Sequence, residues 1–256
     1  ADIRDGTVNA NGPVFGVAEM TDSLTILDPV THRASVVKVP SEASVVVQGF
    51  NASPPRSPHY GENVWARQAD VRSSAVDAKG RVWMASRLRD PEEQPDFCTS
   101  AENAFGAYYP LERASRQVSV YDPSTGEWEQ IDTCFSADHN QMSDDNFLYF
   151  GQNGAVGWID MDVWDETHDA EASQGWCPAV VDTTGDGEIA EWTEPDAPVS
   201  AGLDHRIGFG CYSVAVSHRD GALWCSGIGR GDRRLVRIEK GLNPPATCSA
   251  EYYEPP

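Results

Sequence analysis

The sequence has few basic residues and no long apolar run. Its 256 residues include 19 Lys and Arg against 40 Asp and Glu, which gives a formal net charge of −21 with neutral histidines. Because so few cations are available to neutralise phosphates, the composition argues against nucleic acid and anionic membrane surfaces as partners. No stretch approaches the length of apolar sequence that a spanning helix needs, so no membrane span is predicted.

Two further absences narrow the class of protein. Helical periodicity is almost missing, and the chain has no C-x-x-C pair, no phosphate-cradling glycine motif and no nucleophile elbow. The missing C-x-x-C disfavours zinc knuckles, thioredoxin-type redox chemistry and covalent haem. What remains is an acidic chain with 40% hydrophobic residues, a composition typical of a globular protein.

The cysteines are even in number and dispersed, which favours up to three disulfides in an oxidising compartment over free core thiols. The sequence therefore predicts a secreted protein, either extracellular or periplasmic. Spacing does not fix the pairing, but a hairpin could join Cys225 to Cys248, and this is the pair that we expect. The six residues are Cys98, Cys134, Cys177, Cys211, Cys225 and Cys248.

Short alternating or β-branched runs, closed by Asp-Pro, Asp-Gly or Asn-Gly turns, recur along the chain and predict an all-β protein. Three segments share a short strand, a polar turn and a second strand with an aromatic residue near its start. A further strand, turn and strand follow each of them, so each unit predicts four antiparallel strands, the make-up of a propeller blade. The three segments are 73–86, 140–152 and 213–227.

The sharpest parts of this pattern are DAKGRVW at 77–83 and YDPSTGEW at 121–128. In their order they resemble the β-propellers of the streptogramin lyase (virginiamycin B lyase) type and their NHL and gluconolactonase-type relatives. The resemblance implies a ring of blades with a site at the central axis. For the lyases it also implies metal-assisted elimination with a histidine base.

The repeats account for about three and a half blades separated by long insertions. The N-terminal piece 12–29 matches the second and third strands of a blade, so we expect the chain to begin in mid-blade. We predict a single propeller domain, or part of one, over 1–256, with an aromatic insertion at 89–115 and an acidic insertion at 160–200. The expected partners are other protein chains or the missing part of the same propeller, because open edges have to be covered.

The segment 182–194, DTTGDGEIAEWTE, begins like a calcium loop, in which oxygen ligands alternate and a glycine permits the sharp turn. Thr193 stands where a bidentate carboxylate is expected, so an EF-hand is not predicted. The sequence favours a variant Ca²⁺ site that staples the acidic insertion, and the alternative is an acidic β-turn. The predicted ligands are Asp182, Thr184, Asp186, Glu188 and Glu194.

Arg72, His139 and Tyr212 occupy equivalent positions at or just before the first strands of their units. In propellers of the type that the chain resembles, this position faces the central channel. A cation, a base and a phenol there suit proton abstraction beside a carbonyl, so these three are the candidate catalytic residues. The alternative for His139 is a hydrogen-bonded turn histidine.

His59 and His205 precede first strands at longer range. If both turn inward, they and His139 form a three-imidazole site for a transition metal such as copper or zinc.

The two insertions allow more than one interpretation. The acidic stretch 164–178 could form a second metal site or a carbohydrate-type platform, or it could be a solvated loop whose Trp164 and Trp176 pack onto the blade. The insertion 89–115 suits a lid or an interface equally, because it carries Phe97, Phe105, Tyr108 and Tyr109.

Two functions are consistent with these patterns. The first is a secreted, calcium-stabilised propeller whose axis-facing polar site acts on a small molecule by lyase-like or metal-assisted hydrolase-like chemistry. The second is a non-catalytic binding or assembly subunit of an extracellular multichain complex. Metal content and oligomeric state distinguish the two, because fold alone does not decide function.

Overall fold

The computed structural model describes residues 6–44, 68–102, 114–151, 155–208, 211–227, 234–244 and 246–254. These residues form a mainly β protein, as the sequence predicts, and most strands belong to four antiparallel meanders in chain order. Within the same ranges, no helix has the length and apolar character that crossing a bilayer requires.

The first meander has three strands and the second has four. The first consists of β1 (Val14–Ala18), β2 (Ser23–Asp28) and β3 (Arg33–Lys38), with a 3₁₀ helix at Glu19–Thr21 between β1 and β2. The second consists of β4 (Arg72–Val76), β5 (Val82–Ser86), β6 (Gln117–Asp122) and β7 (Glu127–Ile131), with helix α1 (Asp96–Thr99) between β5 and β6.

The third and fourth meanders have four strands each and are joined, because β11 pairs in parallel with β17 over two residues. The third consists of β8 (Asn140–Met142), β9 (Phe147–Gly151), β10 (Ala155–Asp160) and β11 (Gln174–Val181). The fourth consists of β14 (Ser213–Val216), β15 (Leu223–Ser226), β16 (Leu235–Glu239) and β17 (Cys248–Tyr253). Two short strands, β12 (Trp192–Thr193) and β13 (Asp204–Arg206), extend the sheet beyond β11.

Each meander packs face to face on the next, because alternate side chains of a strand point to opposite faces. Leu24 and Met84 belong to the core between the first and second meanders, and Trp83 and Phe150 to the core between the second and third. Val156, together with strands β14–β17, forms the core between the third and fourth. The protein is therefore a series of stacked sheets with three cores between them.

The first strands of the meanders adjoin one another. Strand β1 packs against β4, β4 against β8, and β8 against β14. The expectation that 12–29 supplies second and third strands is therefore wrong, since β1 has the place of a first strand. The strand-turn-strand pattern is the same for strands one and two as for two and three, so the sequence does not distinguish these positions.

All six cysteines are paired, as Cys98–Cys134, Cys177–Cys248 and Cys211–Cys225. The prediction of three disulfides is confirmed, but the expected Cys225–Cys248 pair is wrong. Strand β16 lies between the strands that carry these two residues. Two strand spacings amount to about 9 Å, which exceeds the reach of a disulfide.

The acidic segment 160–200 is not one insertion, because it contains β11, the fourth strand of the third meander. Two short helices precede that strand, α2 (Met161–Thr167) and α3 (Ala170–Ser173). Side chains of Asp160 and Asp169 cap them by accepting hydrogen bonds from first-turn N–H groups. These helices are too short for hydrophobic periodicity to reveal them.

Candidate functional site

The first strands of the second, third and fourth meanders bring the predicted polar residues into one region. His139 precedes β8 and lies against Tyr212, which precedes β14, with their ring centroids 4.5 Å apart in an edge-to-face arrangement. This contact joins residues 73 positions apart in the sequence. It depends on the packing of β8 against β14.

Arg72 is linked to His139 through the residues that follow each of them. The Oγ of Ser73 lies 3.5 Å from both the backbone N and the side-chain Oδ1 of Asn140. Ser73 has a φ of 42°, in the left-handed region, at a bulge in the pairing of β4 with β5. Such strained residues persist where surrounding contacts hold them, and they cluster at functional sites.

Three nitrogen atoms of this region are buried and have no hydrogen-bond partner among the described residues. They are Nε of Arg72, Nε2 of His139 and Nδ2 of Asn140. Two of them are N–H donors in every protonation state, and the histidine nitrogen is a donor or an acceptor according to its tautomer. A buried unpaired donor costs about 1–3 kcal/mol, so three in one region are unusual unless a ligand or water satisfies them.

The arginines near these nitrogen atoms are already paired with carboxylates. The Nη1 of Arg72 donates to Glu19 at 2.6 Å, and Arg116 donates from Nε to Oδ2 of Asp70 at 2.8 Å. Asp138 lies 3.9 Å from Nη1 of Arg116. Among the described residues, two arginines thus face three carboxylates, so these groups together carry no excess of positive charge.

A cavity of about 530 Å³ opens where β1, β4 and β8 come together. Asn140 and Ser74 lie in its wall, as do Phe15 and Met142. The wall therefore combines apolar side chains with the carboxamide that lacks a partner. This is the make-up of a site for a small molecule.

The predicted calcium loop has a different arrangement from the one expected. Both carboxylate oxygens of Asp182 accept backbone N–H bonds, from Gly185 at 2.6 Å and Gly187 at 2.8 Å. These bonds hold the pKa of the Asp182 carboxyl below its usual range. Thr184 Oγ1 donates to Asp182, and Asp186 accepts from the backbone N of Glu188.

The donors of this loop do not fit a calcium site as they stand. Glu194 accepts from Arg206, outside the loop, at 3.1 Å and from Trp192 beside it, so its carboxylate does not turn toward Asp182. In the ranges that the structure describes, no group of three or more His, Cys, Asp or Glu side chains could hold a metal ion.

The three-imidazole site is not assembled among the described residues, and His59 lies outside them. His205 lies in β13, where its Nδ1 is 2.7 Å from Oγ1 of Thr193. His139 precedes β8, and the sheet order runs from β8 through β9, β10 and β11 to β13. Four strand spacings amount to about 19 Å, so His139 and His205 do not share a metal ion in this arrangement.

The tryptophans of 164–178 are core residues and not a ligand platform. Trp176 is fully buried and Trp164 is 5% exposed, and Nε1 of Trp164 donates to Glu129 at 2.7 Å. His168, at the end of α2, packs on the Trp164 ring at a centroid distance of 5.2 Å. Rings that are buried in this way offer no face to a sugar or a metal.

The aromatic insertion lies between β5 and β6, and the described part of it is anchored to the core. Phe97 packs on the core between the second and third meanders, and Cys98 is bonded to Cys134. Phe105, Tyr108 and Tyr109 lie outside the described residues. The choice between a lid and an interface therefore stays a prediction.

Sequence reasoning missed Ser73, Asn140 and Glu19 as parts of the site. Asn140 follows His139 directly, so the repeat alignment could have indicated it. The role of Ser73 depends on the β4 bulge, and that of Glu19 on the packing of β1 against β4. Neither feature leaves a signal in a single sequence.

No protein-family model matches the chain, and no curated protein matches it. Among solved structures, virginiamycin B lyase from Staphylococcus aureus, solved with quinupristin, matches with 11% identity and a TM-score of 0.46, over 98% of this chain and 54% of its own. The stacking of the meanders, with their first strands adjoining, is the arrangement of a propeller-type fold and agrees with the resemblance of the motifs.

Two other solved structures match at similar levels of identity. PorZ, a surface component of the type-IX secretion system of Porphyromonas gingivalis, is 12% identical with a TM-score of 0.47, over 95% of this chain and 27% of its own. The calcium-binding protein regucalcin from Agrobacterium tumefaciens is 12% identical with a TM-score of 0.36, over 94% of this chain and 70% of its own. The chain thus spans about half of virginiamycin B lyase and about a quarter of PorZ.

Proposed function

We propose that the region around Arg72, His139 and Tyr212 binds a small molecule and acts on it by lyase-like or hydrolase-like chemistry, with His139 as the base. The observation that carries this proposal is the buried Nε2 of His139, which lacks a partner while its ring lies 4.5 Å from that of Tyr212. A histidine that served only to stabilise a turn would use its ring nitrogens for hydrogen bonds.

The ligand that fits this region is an uncharged molecule with carbonyl-type oxygens. Nε of Arg72 and Nδ2 of Asn140 are donors without acceptors, so an oxygen acceptor satisfies both. An anion is a poorer fit, because Glu19 and Asp70 already balance the nearby arginines. The cavity adjoins this region through Asn140, and its apolar residues Phe15 and Met142 suit the rest of such a molecule, although Arg72, His139 and Tyr212 do not line it.

The roles of the three side chains follow from their chemistry. His139 accepts a proton at Nε2 from the carbon beside the carbonyl, and the electron pair left on that carbon expels the leaving group from the next carbon, which completes the elimination. The ring of Tyr212, edge-to-face with that of His139, fixes the orientation of the imidazole. Arg72, held by Glu19 at 2.6 Å, polarises the carbonyl oxygen from its free Nε.

The test is a screen of uncharged carbonyl-containing fragments, namely esters, lactones and amides, by ligand-observed NMR. His139→Gln and Tyr212→Leu, which removes the ring that packs on His139, are expected to weaken the binding of the fragments at least tenfold. His218→Gln is the matched control, because His218 is exposed and contacts Asp144 on the surface. Equal binding by the His139 and His218 variants would exclude the proposed site, and so would a preference for carboxylic acids over esters.

We also propose that the protein is secreted. Its three disulfides fit an oxidising compartment and cost little to form there. Calcium stabilisation by 182–194 stays a prediction from the sequence and has no part in the proposed chemistry.

A second candidate function is assembly with other chains. Both ends of the series of meanders leave a sheet face exposed, and Val36 on one of them is 65% exposed. A non-catalytic subunit of a larger complex would need such faces.

A further inference from the structure

The first meander has one packed and one exposed face. Phe15, Ile26 and Val37 point to the second meander, so their neighbours along each strand point away from it. In the exposed rows Val14 pairs with Leu27, and Val36 follows on β3; these three are 58%, 40% and 65% exposed. We refer to Val14, Gly16, Leu27, Ala34 and Val36 as the leading face.

The fourth meander has a corresponding exposed face at the other end of the series. Leu235 and Tyr253 pair across β16 and β17 and are 42% and 44% exposed. Trp224 lies beside them, with its ring 5.3 Å from that of Tyr253. We refer to Ala215, Trp224, Leu235, Arg237 and Tyr253 as the trailing face.

Apart from these two end faces, the sheet faces of the series pack against one another. The first meander packs on the second, the second on the third and the third on the fourth, each pair through one core. A trailing face that packed on a leading face would continue this stacking with apolar residues on both sides. A contact between a trailing face and a leading face would therefore resemble the three contacts between successive meanders within the chain.

The charges of the two faces are complementary. On the trailing face one cation, Arg237, lies within 4 Å of three carboxylates, Asp220, Glu239 and Glu251. Lys38 borders the leading face, in the row of β3 beyond Val36 and opposite Ser23, and no carboxylate pairs into the rows of this face. A leading face with positive charge thus suits a trailing face with negative charge.

We propose that two copies of this chain associate, the leading face of each packing on the trailing face of the other. The two contacts are identical and related by a twofold axis, so the assembly closes on itself and leaves neither face open. If each meander counts as one blade, two copies give a ring of about eight blades, which lies within the usual range of blade numbers in propellers. The partner's first strand would then adjoin β14, so the region around Tyr212 would be completed by the second copy.

Sedimentation velocity over a hundredfold range of concentration tests this association. The chain has a mass of 27.9 kDa, and a species of twice that mass is expected. Val36→Asp on the leading face and Leu235→Asp on the trailing face should each weaken the dimer at least tenfold. The matched controls are Val30→Asp and Leu242→Asp, since both residues are exposed, at 79% and 74%, and lie off the two faces.

Mixing the Val36 and Leu235 variants distinguishes this proposal from a dimer in which two leading faces, or two trailing faces, pack on each other. The Val36 variant keeps its trailing face and the Leu235 variant keeps its leading face, so the mixture should regain a dimer through one intact contact. A single-chain mass at all concentrations would overturn the proposal, and so would equal effects of test and control variants. No ligand is needed, so failure here leaves the proposal for His139 standing.

Discussion

At the scale of single residues, the motif that most resembles the lyase-type propellers serves the fold. Asp77 is 3% exposed and accepts from the backbone N of Lys79, from Nε of Arg81 and from Nε1 of Trp83. It thereby closes the β4–β5 turn and fixes a core tryptophan. The motif predicted the turn correctly, but nothing in it points to catalysis.

Gly80 of this turn is required for its backbone conformation. Its φ is +83°, and no atom lies within 4 Å of a Cβ placed there. The cost of Gly80→Ala is therefore conformational and not steric, and we expect a loss of about 1–2 kcal/mol in the free energy of unfolding. Gly16→Ala is the matched control, because Gly16 also has open space but lies in strand β1, outside the left-handed region.

Denaturant unfolding of the two glycine variants at one protein concentration measures the difference. Equal stability of both would show that the β4–β5 turn tolerates another conformation. It would also remove the reason for the glycine in the DAKGRVW motif.

At the scale of elements, helix α2 is tied to the β4–β5 turn by one carboxylate. Asp165 accepts from Arg81 at 2.6 and 3.1 Å and from Lys79 at 2.7 Å. Burial raises the pKa of Asp165, but the hydrogen bonds and charges of Arg81 and Lys79 outweigh it, so this pKa lies below its usual range. The contact joins the second meander to the third, 84 residues apart.

This pKa predicts a loss of stability in acid. Since the folded pKa lies below the unfolded value of about 4, the contribution is complete above that value and disappears as pH falls through the folded pKa. Asp165→Asn should be about 1 kcal/mol less stable at neutral pH, and the difference should shrink as the pH falls below the unfolded pKa of about 4. Unfolding curves across this range measure it, with Glu166→Gln, an exposed neighbour, as control. A difference that does not change with pH would mean that packing, not charge, holds α2.

The element scale also shows which parts of the site a sequence can predict. The repeat alignment predicted that Arg72, His139 and Tyr212 occupy equivalent positions, and the structure places His139 against Tyr212. Repeats encode the position of a residue in its own unit, so this information is local. The disulfide pairing and the Ser73–Asn140 contact depend on sheet order and on a bulge, and neither is local.

At the scale of the whole molecule, the net charge of −21 opposes the compact state. Screening reduces this repulsion, because the Debye length falls from about 30 Å at 0.01 M salt to about 8 Å at 0.15 M. We expect the melting temperature to rise by several degrees over this change in NaCl. A decrease would show that surface ion pairs outweigh repulsion.

Adding Ca²⁺ in the same melting experiment distinguishes general screening of charge from binding of Ca²⁺ at a specific site. Because the donors around Asp182 do not converge, Ca²⁺ and Mg²⁺ at equal ionic strength are expected to raise the melting temperature equally. Asp182→Asn and Asp28→Asn form a matched pair, since each half-buried aspartate caps its own turn. If Ca²⁺ stabilises more than Mg²⁺, and Asp182→Asn alone removes the excess, the loop binds calcium after rearranging its carboxylates. Equal effects mean that the acidic turn is held by its backbone hydrogen bonds alone.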